Sequence, residues 1–202
     1  MIILKETCLG EFYFTVAVIL RESLLFSSML LSSEVWFNIT KQEIEQLVRV
    51  DKALLRKYLG GLSSKSVGCG MFLELGIWPI NIVLIGKRVM FLHYILSRPE
   101  TDLLYRVFQA QDKQPVKNDW ALQIKKDLTD LGLELSHTEI KLKSKEAFKK
   151  IVMDKCNNLA FAHLMKEAES KSKMKSLKYK KLEMQKYFKT DRLNTTQKNS
   201  SF

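Results

Sequence analysis

The sequence predicts a mainly α-helical protein: an irregular multi-helix bundle with an apolar N-terminal half, a basic helical C-terminal half and a disordered C-terminal tail. Three observations carry this. Apolar residues recur at three- and four-residue spacing through most of the 202 positions. Two Ser/Thr-x-x-Glu strings stand where helices would begin. With 8 Gly and 3 Pro, the chain has too little punctuation for a turn-rich β protein.

Phe12 to Leu31 is the most apolar stretch, with Phe14, Val16, Val18, Ile19, Leu24, Leu25 and Phe26 falling on every face of a helix. Such a helix is expected to be buried all round. Arg21 and Glu22 lie in its middle, which makes a lipid-facing span costly. Thr40-Lys41-Gln42-Glu43 reads as a capping box, and the helix it opens gathers Ile44, Leu47, Val48, Leu54, Leu55, Tyr58 and Leu59 on one arc. Gly60-Gly61 ends it. Residues 61–79 read as an irregular linker, in which Met71 to Leu75 fits either a short strand or a helical turn. Pro79 suits a first helical position, and Ile80 to Leu96 follows as a helix apolar on most faces. Pro99 is expected to open a helix through Leu103, Leu104, Val107 and Phe108, with Pro115 as its end. Asn118 is the expected cap of a helix through Trp120, Ile124, Leu128 and Leu131, closed by Gly132. Ser136-His137-Thr138-Glu139 is the second capping box. A long helix from Ser144 to about Glu169 carries a stripe of Phe148, Val152, Leu159 and Ala162, interrupted by Lys155 and Lys166. Residues 190–202 are polar and expected to be disordered.

Charge divides the chain more sharply than hydropathy. Lys+Arg is 33 against 22 Asp+Glu, a net of +11. Residues 1–100 hold 11 basic and 9 acidic groups, whereas Lys141 to Arg192 alone holds 16 and 6. The segments expected on this basis are 1–60 apolar and helical, 61–79 linker, 80–189 basic and helical, and 190–202 tail. No basic region precedes an apolar run at the N-terminus, so no signal peptide is expected. Leu75 to Ile85 is too short to span a bilayer, and the expected chain is intracellular, nuclear or cytoplasmic, without a membrane partner.

Residue chemistry gives little support to catalysis. The chain has no glycine-rich phosphate loop, no Cys-x-x-Cys and no Asp-Asp pair to clamp magnesium. Its three cysteines, Cys8, Cys69 and Cys156, are far apart and are not bracketed by His93, His137 and His163 at zinc spacing. Neither a cofactor nor a metal is expected. Asp51 falls on the apolar arc of its helix and Arg21 inside an apolar one, so the two are expected to pair in the core; the alternative is that one reaches solvent. His93, between Leu92 and Tyr94, reads as a hydrogen-bonded core or boundary histidine. Lys171, Lys173, Lys175, Lys178, Tyr179, Lys180 and Lys181 form a lysine run with an interleaved aromatic ring. Such a run can neutralise phosphates while the ring stacks on a base, or it can be a solvated helix face or tail.

Several strings, taken in order, resemble a known family. They are Leu20-Arg21-Glu22-Ser23-Leu24-Leu25, Ser33-Glu34-Val35-Trp36-Phe37-Asn38-Ile39-Thr40, Val50-Asp51-Lys52-Ala53-Leu54-Leu55-Arg56, Leu73-Glu74-Leu75-Gly76, Phe91-Leu92-His93-Tyr94-Ile95-Leu96, Lys117-Asn118-Asp119-Trp120 and Tyr179-Lys180-Lys181-Leu182-Glu183. Together they are similar to the C-terminal region, after the polymerase palm, of reverse-transcriptase polyproteins from non-LTR (LINE-type) retrotransposons. The resemblance runs from about Ile3 to Tyr187. The sequence departs from it at Ser64-Lys65-Ser66, where a Ser-Thr-Pro-like turn is usual, and at Asn81, where an arginine is common.

The resemblance implies thumb-like helices in the N-terminal segment and a role in holding template RNA or target DNA. It implies no enzyme, because the palm, its metal-binding aspartates and the endonuclease have no counterpart here. The expected function is thus a non-catalytic fragment binding nucleic-acid backbone, RNA or DNA, without sequence specificity. The alternatives are a helical module for protein interaction or self-association through the apolar N-terminal helices, and a degenerate remnant that has lost its role.

Overall fold

The computed structural model describes residues 16–58, 68–171 and Leu182, and among them every regular element is helical. Helix α1 covers 16–29 and contains a π-turn over Arg21–Phe26. A 3₁₀ turn, Ser33–Val35, leads to α2, Lys41–Tyr58. Then come α3 (Gly68–Leu75), α4 (Ile80–Leu96), α5 (Leu103–Lys113), α6 (Trp120–Asp130), α7 (His137–Leu142) and α8 (Lys145–Glu169).

The chain forms two compact units. The first draws its described residues from Met1–Met29, Arg49–Ile77 and Leu164–Phe202, the second from Leu30–Val48 and Trp78–His163. These units do not follow the segments that composition suggests. Helices α2 and α8, of 18 and 25 residues, each give residues to both units. At 1.5 Å per residue α8 is about 37 Å long, more than one small core can use.

In the first unit α1 turns Ala17, Arg21 and Leu25 inward. It is not buried all round: Ile19 and Leu24 are 55% and 54% exposed. Ile19 lies on the side of the helix away from Arg21, and the π-turn, which adds a residue to the turn, keeps Leu25 in line with Arg21 and swings Leu24 outward. The supposed linker holds α3, which buries every residue except the half-buried Glu74. Met71 to Leu75 is therefore helical, and it belongs to a core. Gly68 lets the stem of Lys52 cross the start of α3, since a Cβ there would lie 2.6 Å from Lys52 Cε. Lys52 continues to Glu167, 3.8 Å away.

In the second unit α4 runs antiparallel to α8. Gly86 meets Cys156 at one point, and the ring of His93 stacks on Phe148 at 5.0 Å further along. The α8 residues that pack are Phe148, Val152, Cys156 and Ala160, one per turn. Leu159 is only half-buried and Ala162 is exposed, because the buried line advances four residues at a time from Phe148 through Val152 and Cys156 to Ala160 and leaves both to its side. Both capping boxes form: Glu43 accepts the Thr40 backbone N–H at 2.7 Å, and Glu139 accepts that of Ser136 at 2.8 Å. Asn118 is not a cap. It adopts a left-handed φ of 65°, and Asp119 caps α6 by accepting the Leu122 N–H at 2.7 Å. Pro99 supports a turn before α5, whose cap is Asp102; Pro79 sits at the cap of α4 with Ile80 as its first residue. Gly132 closes α6 at φ 60°.

Candidate functional site

The lysine run begins where α8 ends. Lys171 is exposed. Lys173, Lys175, Lys178, Tyr179, Lys180 and Lys181 lie outside the described residues, as do Cys8, Gly60-Gly61 and the tail after 190. Upstream of the run, Lys141, Lys145, Lys149, Lys150 and Lys166 are exposed. No ion pair among the described residues holds Lys145, Lys149, Lys150 or Lys166, and Lys141 rests over the ring of Tyr105 at 5.6 Å.

Two buried ion pairs stand inside the units. In the first, Arg21 Nε donates to Asp51 Oδ1 at 2.6 Å and Nη2 to Oδ2 at 2.7 Å. The Phe26 ring lies 4.5 Å from the same guanidinium, and the Phe72 ring 5.7 Å. In the second unit, Arg88 Nε donates to Asp127 Oδ2 at 2.5 Å and Nη2 to Oδ1 at 3.0 Å, while the Gln123 amide donates to Oδ1 at 2.9 Å. Burial pushes the Asp127 carboxyl above the ordinary aspartate value, against the pull of Arg88 and Gln123. The second pair escapes a reading by hydropathy, because Arg88 stands beside Lys87 in a sequence that looks like a basic edge. Its signal is spacing: Arg88 lies in line with Leu84 and Leu92, and Asp127 in line with Ile124 and Leu131. Both pairs are sealed and structural, and neither offers an open coordination or proton-transfer position.

His93 is a core histidine, its Nε2 2.9 Å from the carbonyl oxygen of Lys143. Cys156 is fully buried and His163 exposed, so they do not share a face. No group of three or more His, Cys, Asp or Glu is arranged to hold a metal among the described residues. No single described helix is long and apolar enough to cross a membrane.

The second unit also has a groove of about 480 Å³ beside the α4–α8 seam. One wall is the α4 face carrying Val83, Met90, Phe91 and Tyr94; the other is the α8 face carrying Lys145, Lys149 and Met153. Trp78 and Glu34 also line it. Trp120 donates its indole N–H to the Glu34 carbonyl at 2.9 Å, and Lys87 donates to the Leu30 carbonyl at 2.8 Å, so the segment around the 3₁₀ turn is tied down beside it. The sequence gives no direct sign of the groove, since the same residues read as an ordinary core stripe. Comparison of the chain with family models, with curated proteins and with solved structures returns no match.

Proposed function

We propose that this chain is a non-catalytic nucleic-acid-binding module, related to the post-palm region of non-LTR reverse transcriptases, that holds RNA or DNA by its phosphate backbone. The observation that carries the reading is the concentration of charge: 16 basic against 6 acidic residues between Lys141 and Arg192. The exposed, unpaired lysines at the start of α8 support it, because such groups can meet phosphates without first breaking an internal pair. Lysine meets the backbone as a point charge, so sequence preference is expected to be weak. The test is binding of a labelled oligo-dT and an oligo-U of equal length to the full chain across a salt series. Affinity that falls steeply with salt supports the reading, and affinity that holds from low to high salt removes it.

A second reading, self-association, draws on Ile19 and Leu24, two large apolar side chains exposed on α1. It predicts an oligomer in sedimentation that survives removal of residues 170–202.

A further inference from the structure

We propose that the α4–α8 groove receives one amphipathic helix of a partner protein, with an apolar face directed into the groove and acidic residues beside Lys145 and Lys149. The inference concerns the second unit alone and does not rest on the nucleic-acid reading, although Lys145 and Lys149 enter both.

Length is the first argument. From Val83 to Tyr94 the α4 wall spans three turns, about 16 Å at 1.5 Å per residue. A helix anchored through residues i, i+4 and i+7, with its outer anchors about 10 Å apart, fits within that span. Chemistry is the second. Apart from the lysines and Glu34, the wall side chains are aliphatic, aromatic or thioether, and Met90 and Met153 stand on opposite walls, where unbranched side chains can adjust to an incoming one. Tyr94 and Met153 remain 45% and 44% exposed, so the groove opens to solvent along its length rather than closing over a small ligand. Charge is the third. Lys145 and Lys149 lie one turn apart on the rim, both exposed and in no described ion pair, whereas Lys87 is already bonded to Leu30 and Glu34 is the lone acid. Two carboxylates one turn apart on a docked helix would match them. A nucleobase fits less well, because its donors and acceptors would lose water against walls that offer them almost no partner.

The probe is a fluorescein-labelled helical peptide with Leu and Phe at i, i+4 and i+7 and Glu on the flank, read by anisotropy against the full chain. It is expected to bind at least about tenfold tighter than a scrambled isomer of the same composition. Y94A with M153A, at two exposed positions, is expected to lose about tenfold, with an unchanged circular-dichroism spectrum showing that the fold survives loss of the Tyr94–Phe91 stack. K145E with K149E is expected to reject the acidic peptide and accept a Lys-flanked counterpart. Equal binding of the scrambled isomer, or no binding of the acidic peptide, overturns the proposal. So does oligo-dT displacing the peptide while Y94A/M153A abolishes oligo-dT binding, which would assign the groove to nucleic acid. A wild-type dimer that Y94A/M153A converts to monomer would assign it to a second copy of this chain.

Discussion

Arg21 and Asp51, 30 residues apart in the chain, meet through two parallel hydrogen bonds of 2.6 and 2.7 Å, with both side chains almost wholly shielded from water. The pair joins α1 to α2 within the first unit and places the guanidinium against the Phe26 and Phe72 rings. It explains how an arginine can stand inside the most apolar run of the sequence.

Removing one partner leaves the other charge buried without compensation. D51L and R21M are each expected to destabilise the chain by about 3–5 kcal/mol, whereas the double replacement R21M/D51L is expected to cost less than either single change. Urea unfolding of the four proteins measures this as a cycle. Additive losses in the double variant would show that the two side chains do not act as a pair.

Much of the fold could be read from the residues, and the failures have identifiable causes. Helix α4 matches its expected bounds, Ile80 to Leu96, because Pro79 and a dense apolar run define both its start and its content. Both capping boxes form because their chemistry is local. Helix α3 is legible only as one of two options for Met71 to Leu75, because Gly68, Cys69 and Gly70 look like loop residues and the passage of the Lys52 stem beside Gly68 is a tertiary contact. The outward turn of Leu24 depends on a π-turn that a regular 3.6-residue period cannot register. For the site, Arg21 and Asp51 stood out because each is a charge on an apolar arc. Arg88 and Asp127 did not, and the groove was invisible because packed and unpacked apolar stripes look alike in one dimension.

Glu74 is the half-buried carboxylate of an otherwise buried helix, and burial raises its carboxyl above the ordinary value of 4.5. A folded-state value above the unfolded one means that the native state favours the protonated form. Its contribution is full below pH 4.5 and is lost as pH rises through the folded value. E74Q is therefore expected to raise the urea midpoint at pH 7, with the gain closing as pH falls towards 4.5. A gain that grows on acidification would contradict the assignment.

Cys156 and Cys69 are both fully shielded from solvent. Burial, reinforced by Asp127, pushes the Cys156 thiol up to about 12; burial and Glu167 raise that of Cys69. Thiolate is the reacting form, so both are expected to resist alkylation in the native chain and to label fully in urea. Peptide mapping after a brief iodoacetamide pulse at pH 8 reads each site separately. Rapid native labelling of Cys156 would mean that the α4–α8 seam opens at Gly86.

The proposed backbone contact has a quantitative signature. For single strands, log K falls with log salt by about 0.7 for each phosphate neutralised. If six lysines of the run from Lys171 to Lys181 engage, the run alone should contribute about −4 to the slope of the full chain with oligo-dT. Truncation after Glu169 removes that run and leaves the exposed lysines at the start of α8. The slope should then drop to about −1 or −2, with oligo-U and oligo-dT still behaving alike, because lysine reads charge rather than base or sugar. An unchanged slope after truncation would move the contact onto α8 itself, and a slope near zero in the full chain would leave its charge without a nucleic-acid partner.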